Sequence, residues 1–208
     1  MTVDSAALAR AWRAAWSALG VNAPDDALLA ELLARYREPQ RHYHTLQHLG
    51  ECLEAFAATH KVAERPGEVA LALWFHDAVY DLDAHDNESR SADWAARALT
   101  AAGVAADATA RVHALVMATC HAVQPTDADA RLLVDIDLSI LGAPAARFAQ
   151  YEQQIRREYA HIPPDVFEPR RRLILGAFLA RDPLYQTPGI RLRCEANARI
   201  NLRRAVGD

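Results

Sequence analysis

The stretch EVALALWFHDAVYD, residues 68–81, decides how the chain is read. Its six apolar residues at 70–75 run directly into His76 and Asp77. An apolar run of this kind, entered through Pro66 and showing no alternation, predicts a helix buried on all sides, with His76 and Asp77 near its middle. An ionised carboxylate in such a place must be paired, hydrogen-bonded or bound to a metal, because leaving it alone costs about several kcal/mol or forces protonation. The chain supplies an internal control: His85 and Asp86 repeat the dipeptide inside DLDAHDNE, residues 81–88, where solvent hydrates both groups and a loop suffices.

Working outward, the pattern is helical almost everywhere. SAALARAWRAAWSALG has apolar residues at helical spacing and ends at Gly20, while APDDALLAELLARYREP places Pro24 near a first turn and stops before Pro39. Thr45 is placed to cap a helix through LQHLGECLEAFAATH, and SRSADWAARALTAAG follows the polar segment. Further helices are expected over about 107–120, 127–141, 145–161, 164–181 and 191–206, with short connections. Trp12, Trp16, Trp74 and Trp94 are assigned to the helical core. With 208 residues, 51% of them hydrophobic, and no repeat or linker, the expectation is one all-α, bundle-like domain over residues 1–208 whose functional groups project inward from facing helices.

Charge and cysteine usage exclude several classes. A net charge of −4 provides no general attraction to nucleic acid polymers or anionic lipid. The three cysteines, Cys52, Cys120 and Cys194, are odd in number and sit in apolar helical patterns, which suits buried thiols in a reducing compartment. The start MTVDSAALARAW lacks a basic segment followed by an apolar signal core, and no run reaches membrane-spanning length. A cytoplasmic protein without membrane association is expected, and a homo-oligomer is compatible with it.

Two more stretches carry candidate ligands. RHYHTLQHLGECLEAF sets His42, His44 and His48 within seven residues. LLVDIDLSILGA interrupts an apolar helical pattern with Asp135 and Asp137. Two carboxylates two residues apart on a helix point about 200° from each other, so one binds metal while the other caps or pairs elsewhere. His48, His76, Asp77 and Asp137 together make two imidazoles and two carboxylates on three separate helices, with Asp135 as the alternate for Asp137.

That order, a histidine, then a His-Asp pair after an apolar run, then a distant aspartate, resembles the HD superfamily of metal-dependent phosphohydrolases. RHYHTLQHL, WFHDAVYD, DNESRSA, DIDLSILG, IRREY and EANARINL are similar to motifs of a bacterial family of HD-type phosphohydrolases, and together they span residues 41–202. The resemblance implies an HD-domain-like helical bundle, a metal held by His48, His76, Asp77 and Asp137, and a small phosphorylated substrate. Cyclic-nucleotide phosphodiesterases share this ligand plan and carry a Tyr-His four residues before the first ligand, whose histidine protonates the leaving group. Tyr43, His44 and His48 reproduce the spacing, but Thr45 stands where that motif has asparagine and the wider phosphodiesterase sequence is missing.

The chemistry expected of the ligand set follows. Mixed nitrogen and carboxylate donors with open positions suit one octahedral divalent ion, Mn²⁺, Fe²⁺, Co²⁺, Ni²⁺ or Mg²⁺, which lowers the pKa of bound water and polarises a phosphoryl oxygen. His44 is either the acid that protonates the leaving alkoxide or an outer hydrogen-bonder, and Glu88 is the alternate acid. His42 is expected to point away. Arg41 as a phosphate clamp is weighed against a solvated loop residue, Asn87 as a substrate contact against a helix cap, and His121 as a substrate contact against an ordinary end-of-helix histidine. Arg156, Glu158, Arg199 and Asn201 are read first as interhelical ion pairs. Two other functions stand beside hydrolysis: a catalytically silent nucleotide- or metal-binding module, and a di-iron oxygenase of HD fold resembling inositol oxygenase. The oxygenase would need two further histidines, and His113 and His121, on one helix, would stand about 12 Å apart.

Overall fold

Proline and side-chain caps start most of the helices. In the computed structural model, which describes residues 4–22 and 24–207, these are α1 (Ser5–Ser17), α2 (Asp26–Arg35), α3 (Leu46–Thr59), α4 (Pro66–Phe75), α5 (Asn87–Ala101), α6 (Ala106–Met117), α7 (Ala128–Asp137), α8 (Ala145–Glu158), α9 (Pro164–Leu179) and α10 (Pro188–Val206). The chain is all-α, with no strand among the described residues. Asp4, Asp25 and Thr45 accept the backbone N–H of Ala6, Ala27 and Gln47 at 2.9, 2.8 and 3.3 Å, each cap contributing about 1 kcal/mol. Pro66, Pro164 and Pro188 occupy first-turn positions, where a missing N–H costs nothing. No helix among the described residues is long and apolar enough to cross a membrane.

The contacts divide the chain into two compact units, one reaching Val134 and the other beginning at Asp135. The first is built around α4, whose residues from Gly67 to Phe75 are all buried, as an unbroken apolar run requires. On one side α1 brings Trp12 edge-on to Trp74 at 5.1 Å and to Trp16 at 5.4 Å, pairs contributing about 0.5–1.5 kcal/mol each beyond their burial. Gly67 permits the close approach: a Cβ there would lie 2.5 Å from Leu19 Cδ1 and 2.7 Å from Ala18 Cβ. Trp94 differs from its three fellows, being half-buried with the Arg35 guanidinium over its ring at 5.7 Å.

Both ends of α4 are fastened from a distance. At its start the buried carboxylate of Asp129 accepts the N–H groups of Glu64 and Arg65 at 2.7 and 2.9 Å, satisfying donors that a helix beginning leaves open. Buried Glu68 is gripped by Arg111 through two bonds of 2.7 and 2.8 Å. The far end corrects the sequence expectation. His76 and Asp77 do not lie in mid-helix: α4 stops at Phe75, and His76 is its C-cap.

In the second unit α10 packs on α9 and on the 3-10 turn Leu138–Gly142. Asn201 donates to the carbonyls of Leu141 and Ala143 at 2.9 Å, and Tyr185 Oη donates to that of Leu138 at 2.9 Å. Arg199 donates to the carbonyls of Leu179 and Arg181 and pairs with Glu195 on its own helix, while Arg156 donates to the carbonyls of Tyr159 and Ile162. The interhelical ion pairs expected for Arg156, Arg199 and Asn201 are thus replaced largely by capture of backbone carbonyls. Those carbonyls are orphaned at helix ends and need donors more than the carboxylates do.

Candidate metal centre

A helix that ends inside protein leaves carbonyls without partners, and here side chains take them. His76 Nδ1 lies 2.8 Å from the carbonyl of Leu73, Tyr36 Oη donates to that of Trp74 at 3.1 Å, and the N–H of Ala78 donates to that of Phe75 at 2.9 Å. Beyond the helix end Arg41 takes two more, with Nη1 donating to Asp77 at 2.6 Å and Nη2 to Ala78 at 3.2 Å. The turn is over-determined, and it holds His76 and Asp77 in one orientation.

The bond to Leu73 also sets a tautomer. With Nδ1–H donated to a carbonyl, the neutral His76 ring carries its lone pair on Nε2. That nitrogen is 3.1 Å from His48 Nε2 and 3.0 Å from Asp77 Oδ2, and the remaining edge, His48 Nε2 to Asp77 Oδ2, is 3.4 Å. His48 reaches the triangle from the first turn of α3, just after the Thr45 cap, as its spacing predicts. Both imidazoles are buried, at 2% and 1% exposure. Asp77 Oδ2 is buried yet makes no hydrogen bond of acceptable geometry, despite the two nitrogens beside it. A proton on His48 satisfies one edge of the triangle, whereas a cation satisfies all three.

The dimensions suit a metal ion. A triangle with these edges has a circumradius of about 1.8 Å, so one point lies at the ~2.0–2.2 Å of ordinary metal bonds from all three atoms. Burial pushes the Asp77 carboxyl upward, but positive charge on His76 and His44 and hydrogen bonding from His48 and His76 outweigh it and hold the group well below the usual carboxylate range, and a cation in the triangle would act in the same sense as those ring protons. The carboxylate is therefore charged and ready to bind a cation. Beside it, Cys52 Sγ lies 3.8 Å from His48 Nε2, and donor atoms of His48, Cys52 and His76 all fall within 4.8 Å of one another. The protein thus carries a buried cluster able to hold a metal ion.

The other candidate residues take distinct places. His44 is half-buried beside the triangle, its ring 4.2 Å from that of Tyr80 and 5.9 Å from that of His48. His42 is exposed. Arg41 is not a solvated loop residue: its side chain is fully covered, and it also donates to Glu38 Oε2 at 3.1 Å and to the His44 carbonyl at 3.2 Å. Its donors aim at protein acceptors, so it braces the site from behind. Asn87 clasps Asp81 through bonds of 2.8 and 3.0 Å and closes the polar loop. Glu88, half-buried in the first turn of α5, reinforces the upward push of burial on the Cys120 thiol. His121 follows a 3-10 turn in the left-handed region, with φ of 54°.

His113 and His121 do not share a helix, since α6 ends at Met117 between them, and neither joins the donor cluster among the described residues. His113 Nε2 faces Asp93 at 3.2 Å. In the second unit Asp135 is buried and its Oδ2 accepts the N–H of Thr187 at 2.5 Å, so it is the carboxylate that pairs elsewhere. Burial raises its pKa against that bond. Asp137, the last residue of α7, is half-buried in the second unit.

Comparison with protein-family models, with curated proteins and with solved structures finds no match to this chain. The reading of the site therefore rests on its own chemistry. Two features escaped sequence reasoning. Cys52 was placed only as a buried thiol, although its i, i+4 spacing from His48 signals a shared helix face. Arg41 is singled out in the sequence as a phosphate clamp, but its bracing role carries no local signal, because its partners Asp77 and Ala78 lie 36 and 37 residues away.

Proposed function

We propose that the protein is a metal-dependent hydrolase of a phosphoester, acting on a nucleotide or another small phosphorylated metabolite. One observation carries the reading: His48, His76 and Asp77 converge in a buried triangle whose carboxylate oxygen lacks a hydrogen bond and whose His76 tautomer is set for ligation. The resemblance to HD-type phosphohydrolases adds the reaction class and names Asp137 as the further ligand.

In this reading His48, His76, Asp77 and Asp137 hold one divalent ion, Mn²⁺, Fe²⁺, Co²⁺, Ni²⁺ or Mg²⁺. When bound, the ion supplies Lewis acidity toward a phosphoryl oxygen and toward water. The remaining chemistry belongs to the chain. The Leu73 carbonyl keeps His76 Nε2 unprotonated and aimed at the triangle. Arg41 fixes the backbone on both sides of the site, at His44 and at Asp77. His44, next to the triangle but outside it, holds the proton that the leaving alkoxide needs, with Glu88 as the alternate donor.

The test is a screen of purified protein, loaded separately with each of the five ions, against nucleotides and sugar phosphates, alongside metal analysis. Bound metal with phosphate release supports the proposal. Stoichiometric metal without turnover of any phosphoester favours a silent binding module, and absence of bound metal overturns the reading.

A further inference from the structure

Apart from Glu88, the segment DNESRSA, residues 86–92, has no part in the chemistry proposed above. Two of its side chains bond to the same short stretch of backbone. Ser91 Oγ accepts the N–H of Val79 at 3.0 Å and donates to the Val79 carbonyl at 3.4 Å. Asn87 Oδ1 accepts the N–H of Asp81 at 3.0 Å, and its Nδ2 donates to the Asp81 carbonyl at 2.8 Å. Two side chains of α5 thus clasp the chain on either side of Tyr80.

The Tyr80 ring is held as well. The Arg41 guanidinium lies 5.4 Å from its centroid and 5.3 Å from that of Tyr36, and is itself fixed by bonds to Glu38 and to the carbonyls of His44, Asp77 and Ala78. The His44 imidazole stacks on Tyr80, with centroids 4.2 Å apart and planes inclined by 31°, while buried Tyr43 meets it edge-on at 4.9 Å. Arg41 therefore secures the His44 backbone, and Tyr80 carries the His44 ring. A half-buried tyrosine that served only as packing would be replaceable by leucine; the face-to-face pairing with His44 is what leucine cannot supply.

We infer that Tyr80, clasped by Asn87 and Ser91, is the positioning residue that holds the His44 imidazole where it protonates the leaving group. This rests on the acid role proposed for His44. A proton donor acts only within about 2.6–3.2 Å of its acceptor, and misplacement by ~1 Å costs on the order of 10²-fold. A half-buried imidazole free to turn about its side-chain bonds spends little time in register, whereas one stacked on a fixed ring stays there.

The experiment compares the full native chain with Tyr80→Leu, Tyr80→Phe and Asn87→Ala. Proton–carbon spectra of the histidine rings are recorded, with His44 identified by its loss in His44→Ala, and kinetics are measured on alkyl and activated aryl phosphates after metal loading. Tyr80→Leu should move the His44 resonance toward the position of a free imidazole, because the ring current is gone, with metal content unchanged. On alkyl phosphates its kcat should fall about 10²-fold with KM within about twofold, and on aryl phosphates by less than about threefold. Tyr80→Phe keeps the ring and should restore both the resonance and the rate. Asn87→Ala should act in the same direction as Tyr80→Leu, by about tenfold in kcat. An unmoved His44 resonance in Tyr80→Leu, or equal losses on both substrate types, overturns this inference and leaves hydrolysis standing. A native protein that releases no phosphate from any ester overturns the hydrolase reading, and the acid role served by Tyr80 falls with it. Should Tyr80→Leu fail to fold, Asn87→Ala decides by the same two readouts.

Discussion

His76-Asp77 and His85-Asp86 are the same dipeptide nine residues apart, and the molecule treats them in opposite ways. In the first pair the histidine side chain is 0% exposed and the aspartate 18%, both facing a second buried imidazole. In the second, His85 is exposed, and Asp86, 65% exposed, faces Arg90 at 3.7 Å. What separates them is the backbone beneath. The first pair closes a buried helix end whose carbonyls are taken by His76 and Tyr36, with Arg41 holding the turn beyond it, so its side chains cannot turn to water. The second lies in a polar loop where water supplies every missing bond. A residue motif becomes a site only where surroundings remove its alternatives.

The largest expected effect separates the pairs outright. Asp77→Ala should reduce bound metal to background and abolish phosphate release, while Asp86→Ala keeps both, as read by elemental analysis of the purified variants. Equal metal content in the two variants would erase the contrast. Asp137→Ala is expected to behave as Asp77→Ala does, and unchanged metal affinity there would remove Asp137 from the ligand set.

Next comes His44, which neighbours the first pair without belonging to it. His44→Ala should retain near-normal metal and lose about 10²–10⁴-fold in kcat on substrates with poor leaving groups, with much smaller losses on activated aryl phosphates that depart as stable phenolates. Equal losses on both substrate types would reject the acid role, and loss of metal would make His44 a ligand.

The supports beneath the pairs should differ as well. Arg41→Met leaves the Glu38 carboxylate and the carbonyls of His44, Asp77 and Ala78 without their donor, and should lower stability by about 3–5 kcal/mol in denaturant unfolding. Arg90→Met, beneath the second pair, breaks only exposed contacts of 3.7 and 3.9 Å and should change stability by less than ~0.5 kcal/mol. Comparable losses from both would mean that the Arg41 bonds contribute little. The smallest resolvable effect is Tyr36→Phe, which removes the donor to the Trp74 carbonyl and should cost about 1–2 kcal/mol with metal stoichiometry unchanged.

Much of this contrast is legible in the sequence. The unbroken apolar run into His76 announces burial, the polar run around His85 announces hydration, and Thr45 announces the start of the helix that carries His48. Prolines 66, 164 and 188 mark helix beginnings because proline tolerates first turns and few other helical positions. The end of α4 is not legible. No glycine or proline follows Phe75, and the helix ends where Tyr36, 38 residues away, takes the Trp74 carbonyl and Arg41, 36 residues from Asp77, holds the turn beyond it. A local pattern cannot report a distant donor. The place of Arg41 and the division of the chain at Val134 are hidden for the same reason, since both depend on contacts between residues far apart in the chain.

The position of His76 at the end of α4, with His44 next to the Thr45 cap of α3, has an electrostatic consequence. Peptide dipoles aligned along a helix leave partial negative charge at its C-terminus and partial positive charge at its N-terminus, each acting on a nearby ion by about 0.3–1 kcal/mol. The triangle is thus built where one helix presents its negative pole, which favours a cation, beside the positive pole of another, which favours an anion. Charge separation is already present in the backbone before any side chain titrates. The Arg41 guanidinium already offsets part of that negative pole and a bound divalent ion would reverse it, so inorganic phosphate should bind more tightly after the metal than before, a difference that calorimetric titrations run in the two orders of addition should reveal.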